Sequence, residues 1–407
     1  MRYKRCQSKI TAILIFVIAI SAGLTVSCTS RAETGDDGSA DNDTAAIIEQ
    51  QAEAGGIGRI KDELGKYIDE DTKDLLGGYD ADEFINDLLS GTVDIDMKSL
   101  GSKALKFLFR ELFQNLGILI KITVLVIICA LLKNLQASFM NEGAGQIAFY
   151  VCYIVIVSIL LVSFGIVMNM GIRIIDTMVG FMYTVVPVLL ALLISGGNIT
   201  AGGILHPVML MIVETAATII RNAFVPLIFI STILAIVNNI SEKIQLTRLV
   251  NLIKQIVSWS LGIILTIFII AVTMQGSLGA VIDGATQKAA KFAISTFIPI
   301  VGKTLSDAAD TVIGCTLLIK NAAGFAVMTG ILLICIVPLL KIIALVGLFK
   351  AAGALLEPIS ESRIINCIND VAGSMLHIFS LSAAVAFMFI ICVTALISAG
   401  NLSTMLR

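Results

Sequence analysis

The chain has 407 residues, of which 57% are hydrophobic and 14% are charged, and its mean hydropathy is +0.95. This apolar share exceeds that of soluble globular domains and excludes that class, while the net charge of -2 gives no indication of nucleic-acid binding. The apolar runs are continuous and about 20 residues long, which predicts membrane helices and excludes a barrel of alternating strands.

The first 32 residues have the layout of a secretory signal peptide. A basic start, MRYKRCQSKI, precedes the apolar stretch TAILIFVIAISAGLTV, and small residues follow it. Three outcomes fit this layout: cleavage after Ala32, lipidation at Cys28 and retention as an anchor. Each of them places the next segment outside the cytoplasm.

Residues 33–100 form an acidic segment that the sequence predicts to be extracytoplasmic. It begins with ETGDDGSADNDTA, a composition typical of disorder, and continues as short amphipathic helices broken at glycines. A calcium loop does not fit, because Lys73 and Asp74 stand where a ligand and the obligatory glycine belong. We therefore expect a solvated acidic face and no metal site here.

Residues 101–407 are predicted to form an all-α polytopic membrane domain of roughly seven to eight transmembrane helices. The apolar runs that are long enough to cross a bilayer cover residues 116–135, 147–168, 174–194, 204–220, 223–237, 257–274, 323–348 and 376–399. Helix breakers interrupt the stretch from 204 to 237, which fits either two spans or one broken pair. The count of spans stays open for this reason.

The clearest interfacial amphipathic helix is predicted at residues 246–257. Apolar side chains recur there at helical spacing, with polar residues on the other side. We expect this piece to lie along the cytoplasmic membrane surface, where Lys254 agrees with the positive-inside rule. The segment 277–321 carries lysines although it is expected outside the cytoplasm, so either the topology changes there or the segment is embedded against other helices.

Four charged residues inside the predicted spans are the candidate functional residues: Glu214, Arg221, Arg173 and Asp176. A charge at the bilayer centre costs about 2.5 to 3.5 kcal/mol on insertion scales, so each needs a partner, an interface or water. Arg221 follows Glu214 on the same helix face, and Arg173 and Asp176 have the spacing of an ion pair within one helix. Two interpretations fit: a polar conduit or substrate site, and pairing between neighbouring helices. No catalytic, cofactor or metal-ligand arrangement occurs in the sequence, so no enzyme is predicted.

The tripeptide GKT at 302–304 ends an apolar run in the way that a phosphate-binding loop does. Such a loop needs a second glycine five positions earlier, where this chain has Phe297, and Pro299 removes one backbone N–H from the cradle. Thr304 and Asp307 instead have the spacing of a capping box. The tripeptide is therefore predicted to start a helix and not to bind nucleotide.

Four stretches of the chain resemble the stage III sporulation protein AE family. They are ALLKNLQASF at 130–139, NNISEKIQLTRLVNLIKQ at 238–255, VIDGATQKAAKFAISTFIPIVGKTLSDAADTVIGC at 281–315 and LLEPISESRI at 355–364. The resemblance covers most of the chain after about residue 101. The signal-like start and the acidic segment stand ahead of these stretches, as they do in that family.

The resemblance implies a multi-pass protein of the mother-cell-derived membrane around the forespore. It further implies a permease-like part of a multi-protein channel linking mother cell and forespore, which supports forespore development and late forespore gene expression. The implied partners are membrane lipid, a separate cytoplasmic ATPase and ring-forming subunits, with a homo-oligomer as one possibility and no nucleic acid. A stand-alone secondary transporter and a membrane scaffold without a conduit are the alternatives.

We predict that Gly302→Ala and Lys303→Ala leave any ATPase activity of the assembled complex unchanged, because Phe297 replaces a glycine that a phosphate cradle requires. Nucleotide binding by the purified wild-type chain, measured by fluorescence anisotropy, is the control. Binding by the wild type that either substitution abolishes would contradict the prediction.

Overall fold

The computed structural model describes residues 57–67, 97–139, 142–200, 202–203, 206–240, 245–297 and 302–405. Its elements, in chain order, are α1 (Ile57–Tyr67), α2 (Met97–Phe139), α3 (Glu142–Ser195), α4 (His206–Ile219), a π-turn (Ile220–Phe224), α5 (Val225–Ile240), α6 (Thr247–Phe297), α7 (Gly302–Leu356) and α8 (Ser362–Met405). The predicted all-α class is confirmed. The predicted signal peptide at 1–32, the lipidation site at Cys28 and the rejected calcium loop at 69–74 lie outside the described residues.

Six helices in the described part of the chain are long and apolar enough to cross a membrane, where the sequence predicted seven to eight. They are Gly101–Leu132, Tyr150–Ser195, His206–Ile240, Thr247–Gln275, Thr311–Leu356 and Ser362–Ser398. The difference arises because two pairs of predicted spans are continuous. The runs at 147–168 and 174–194 both lie on α3, because the helix continues through Gly171 between them, and those at 204–220 and 223–237 join through the π-turn.

The helices α3 and α7 are much longer than a bilayer is thick. They contain 54 and 55 residues, which at 1.5 Å per residue gives about 80 Å each, against about 30 Å of hydrocarbon. Each has one interior proline, Pro187 in α3 and Pro338 in α7. Long continuous helices therefore connect the membrane-embedded region to regions beyond it.

Helix α8 lies at the centre of the bundle, where it packs against α7, α3, α5 and α6. Two glycines allow this close approach. A Cβ atom at Gly171 of α3 would lie 2.5 Å from Ile378 Cγ2, and one at Gly324 of α7 would lie 2.7 Å from Ile397 Cδ1. Side chains at these glycines would force the helices apart, so the core depends on small residues as membrane bundles commonly do.

The segment 246–257, which the sequence predicted as a surface helix, is continuous with the spanning helix α6. Its buried stripe runs through Val250, Lys254, Val257 and Leu261, and Lys254 is only 4% exposed. The lysine that was expected at the membrane surface thus lies inside the bundle. Periodicity identified the helix correctly but could not show that Lys254 has a partner there.

The tripeptide GKT begins a helix, as predicted, because α7 starts at Gly302. Thr304 was predicted to be the N-cap, yet it lies two residues inside the helix, which is within the usual difference between cap positions and assigned boundaries. Phe297 is the last residue of α6. Both sides of the supposed phosphate loop are therefore helical.

The short helix α1 comes from the acidic segment and packs against α3 and α7. It buries Ile60 and Leu64, and Thr184 Oγ1 of α3 donates a hydrogen bond to Glu63 Oε1 at 3.3 Å. A Cβ atom at Gly330 of α7 would collide with Leu64 Cδ2. The absence of a side chain at Gly330 is thus what makes room for α1.

We predict that Gly330→Val displaces α1 from its position between α3 and α7. The added methyl groups would occupy the volume of Leu64 Cδ2, and Phe181 Cζ lies only 3.0 Å from the new Cβ on the other side. The measurement is maleimide labelling of a cysteine placed at Ile60, which is 1% exposed. Labelling should rise strongly in the variant.

The matched control is Gly347→Val on the same helix, where a Cβ atom meets nothing within 4 Å. Mass spectrometry of the labelled peptide separates the introduced cysteine from the native ones. Equal protection of the cysteine in all three backgrounds would show that α1 tolerates a side chain at residue 330.

Candidate functional site

Two of the four predicted charges form an ion pair between helices. Arg221, in the π-turn, places its Nε 2.8 Å from Oδ1 of Asp176 on α3, and the two side chains are 46% and 45% exposed. At 1.5 Å per residue, Arg221 lies about 23 Å from the start of α4 and about 28 Å from the end of α5. The pair therefore lies in the middle of the apolar helix and faces outward from the bundle.

Glu214 is held by a neighbouring helix and not by Arg221. The hydroxyl of Tyr183 on α3 donates a hydrogen bond to Glu214 Oε1. Tyr183 is 60% exposed, and Glu214 is half-buried beside it. This second tie connects the same two helices as the ion pair does, two turns away from it.

Arg173 was predicted to pair with Asp176 along one helix. The ion pair that the structure shows for Asp176 is with Arg221. The reason is that Asp176 lies on the side of α3 that faces the π-turn, so the guanidinium of Arg221 reaches it directly. Arg173 is exposed one turn earlier on the same outward side.

These charges belong to an outward-facing surface that we call the polar face. On α3 its exposed positions recur at helical spacing, and on α4 and the π-turn they follow the same rule. The polar face comprises Arg173, Asp176, Gly180 and Tyr183 of α3, with Glu214, Thr215, Thr218, Arg221 and Asn222 of the second helix. Its exposed neighbours on the second helix include Met211 and Ile219.

Other outward surfaces of the bundle have the composition expected for contact with lipid. The exposed large side chains of the first half of α3 are mostly aliphatic, among them Val151, Ile154, Val155, Val162 and Ile166. The exposed stripe of α6 is mainly apolar, with Trp259, Ile263, Ile267 and Ile270 beside the small residues Gly262 and Thr266. The polar face differs from these two stripes in its four charged side chains.

The π-turn sets the orientation of the polar face. It precedes Pro226, whose ring in a regular helix would clash with the carbonyl of Asn222. The backbone N–H of Val225 donates to the carbonyl of Ile220 across the wider turn. One extra residue in the turn leaves Arg221, Asn222 and the next residue all exposed. π-turns of this type occur frequently at functional sites.

A polar cluster around the buried Lys254 fixes one end of the bundle. Asn239 Nδ2 of α5 donates to Asp370 Oδ2 of α8 at 3.0 Å, and Lys254 Nζ of α6 donates to the carbonyl of Asp370 at 3.5 Å. Three helices therefore meet at Asp370. The sequence signal for this cluster was the position of Lys254 within an apolar stripe, since a lysine with that spacing needs an internal partner.

A second polar cluster fixes the opposite end. Gln275 Nε2 lies 3.2 Å from His206 Nδ1, the N–H of Thr200 donates to Asp283 Oδ1 at 2.9 Å, and Lys320 Nζ donates to the carbonyl of Ile397 at 2.8 Å. Asp283 and Lys320 are each 2% exposed. Of the two interpretations of 277–321, embedding against other helices is the one these contacts favour.

The loop between α3 and α4 contains the only described residue with positive φ, Gly197 at 83°. Its N–H donates to the carbonyl of Ile194 at 2.9 Å, which ends α3 in a left-handed cap. In the described residues no group of three or more His, Cys, Asp and Glu side chains could hold a metal ion. The candidate site is thus a charged helix surface and not a ligand cage.

The comparisons with known proteins agree with the resemblance read from the sequence. The model of the family described as Stage III sporulation protein AE (spore_III_AE) matches residues 79–400. The chain belongs to this family. It is 34% identical over 372 residues, which cover 90% of this chain and 92% of the relative, to the Stage III sporulation protein AE of Bacillus subtilis (strain 168). No solved structure matches.

Membership in the stage III sporulation protein AE family confirms the predicted resemblance and gives the chain a role in sporulation. Together with the six apolar helices it makes this a sporulation membrane protein. The family is not a known enzyme family. The polar face and both polar clusters lie within the matched residues, whereas α1 precedes them.

We predict that Arg221→Asp lowers the amount of folded protein in the membrane, because it places two carboxylates against each other in mid-helix. The double variant Asp176→Arg, Arg221→Asp restores opposite charges and should recover most of the loss. A double-mutant cycle from thermal midpoints in detergent should give a coupling of about 1 kcal/mol or more. Additive effects of the two substitutions would show that the ion pair contributes nothing to stability.

Proposed function

We propose that this protein is a membrane-embedded, permease-like component of a multi-protein channel that links mother cell and forespore. In this role it supports forespore development and late forespore gene expression from the mother-cell-derived membrane around the forespore. The observation that carries the proposal is the polar face, which lies midway along an apolar helix, is charged and is directed away from the chain's own core. Membership in the sporulation family supplies the biological setting.

Hydrocarbon is an unfavourable neighbour for the polar face. Arg221 and Asp176 satisfy each other, yet nearly half of each side chain is exposed, and lipid tails offer no hydrogen bonds to the remaining donors and acceptors. A neighbouring protein helix or a water-filled path would satisfy them. A component of a larger membrane assembly meets this requirement, and an isolated chain surrounded by lipid does not.

The energy for transport in this proposal comes from a separate cytoplasmic ATPase. The sequence lacks the glycine of a phosphate cradle, and α7 begins at Gly302 immediately where the cradle would be. Ring-forming subunits are the second proposed class of partner. The chain itself contributes the membrane-crossing helices and the polar face.

A stand-alone secondary transporter remains the second candidate. Such proteins often have paired broken helices from internal repeats, with the substrate site between the repeats. This chain has a break between Ser195 and His206 that includes Gly197 with its positive φ, and the broken stretch fits that architecture in part. A scaffold without a conduit is the third candidate, because both end clusters join helices.

We predict that Glu214→Gln lowers late forespore reporter expression and spore yield while membrane abundance stays normal. The amide oxygen of glutamine still accepts the hydrogen bond from Tyr183, so the helix contact is retained and only the charge is lost. Co-purification of other stage III proteins, including a cytoplasmic ATPase, should be unchanged. Glu214→Leu removes the hydrogen bond as well and should reduce the amount of folded protein.

The matched control is Glu111→Gln in α2, away from the polar face. Asn115 Nδ2 donates to Glu111 Oε1 at 3.1 Å within that helix, so this substitution also keeps a hydrogen bond while it removes a charge. Normal spore yield for Glu214→Gln would favour the scaffold. Recovery of the wild-type protein from sporulating cells without any other sporulation protein would favour the stand-alone transporter.

A further inference from the structure

We propose that the polar face is the contact surface between two copies of this chain in the membrane. The inference rests on the proposed function only in that both use the polar face. It adds that the neighbour of this face is a second copy of the chain. The observations that carry it are the position of the polar face midway along an apolar helix, its exposure and its balance of charges. Each of these restricts which neighbour can cover the polar face.

The polar face lies on two helices that are long and apolar enough to cross a membrane. Arg221 lies more than about 20 Å from either end of the helix formed by α4, the π-turn and α5, and Asp176 lies beside it on α3. The neighbour must therefore itself lie within the membrane. A membrane helix of another protein chain is the neighbour that can supply hydrogen bonds there.

The charges of the polar face favour a second copy over a partner of one sign. The face carries two cations, Arg173 and Arg221, and two anions, Asp176 and Glu214. A partner surface whose charges are all of one sign would place two of these four residues beside like charges. A copy related by a two-fold axis presents both signs, so that each cation can meet an anion of the other chain.

The side chains between the charges allow two helices to approach. Thr215, Thr218 and Asn222 are exposed at spacings of three and four residues, and Gly180 is exposed on the adjacent α3. Small residues let membrane helices come close, and threonine and asparagine can form hydrogen bonds across the interface. The exposed stripe of α6 has small residues too, Gly262 and Thr266, but large side chains such as Trp259 and Ile263 stand beside them and no charge accompanies them.

The experiment uses two differently tagged full-length copies produced together in a bacterium that does not sporulate. Extraction into lipid nanodiscs precedes purification through one tag, and the fraction of the other tag that is recovered is measured. Because no other sporulation protein is present, failure of self-association would leave the proposed role in the channel untouched. Equally, loss of that role in sporulating cells would not change the self-association measured here.

Thr218→Trp is the blocking variant. Thr218 is exposed, so the indole extends away from the chain's own core and obstructs only a neighbour. Recovery of the second tag should fall about tenfold. Thr218→Ala, which keeps the surface small, should recover as much second tag as the wild type.

The matched control is Ile263→Trp on α6, which is 59% exposed on the lipid-like surface and should leave recovery unchanged. Thermal midpoints of all variants report on folding, and we expect them to match the wild type. The proposal is overturned if the wild type shows no self-association, or if Thr218→Trp and Ile263→Trp recover equal amounts. The proposal would also be overturned if, in sporulating cells, the polar face binds only a different membrane protein.

Discussion

The ion pair between Arg221 and Asp176 is the interaction on which the organisation of this protein depends. Two charges placed mid-way along apolar helices would each be costly alone, and together they oblige α3 and the π-turn to stay in register. The nearby contact of Tyr183 with Glu214 fixes the same two helices a second time. Since both ties face outward, the constraint that positions these helices also determines where the polar face lies on the bundle.

The two polar clusters complete this arrangement at the ends of the bundle. Asp370 joins three helices at one end, while His206, Asp283 and Lys320 hold the other end through the loop after α3 and the last turns of α8. Between them the core is apolar and close-packed around α8. Polar contacts thus fix helix positions at three points along the bundle. Between these points small and branched side chains pack together and attract each other by dispersion.

Sequence reasoning recovered the fold class, the family and most apolar segments, because hydrophobic length and helical periodicity are local properties. It divided α3 into two spans, because the bilayer thickness suggested that a helix should end there. The backbone of α3 is continuous at that point. It also placed Lys254 at the surface and paired Arg173 with Asp176. Both errors concern partners more than 40 residues away in the chain, and the spacing of residues along one helix carries no information about such partners.

Helix α1 shows how the order of synthesis constrains assembly. Its position is bounded by Thr184 and by Gly330, so the site is complete only after about 270 further residues have followed Leu64 out of the ribosome. At roughly 5 to 20 residues per second that delay is about 15 to 50 seconds. For this period the apolar side of α1 has no final neighbour. Packing of α1 is therefore a late event of biogenesis. It requires that α3 and α7 have already come together in the membrane.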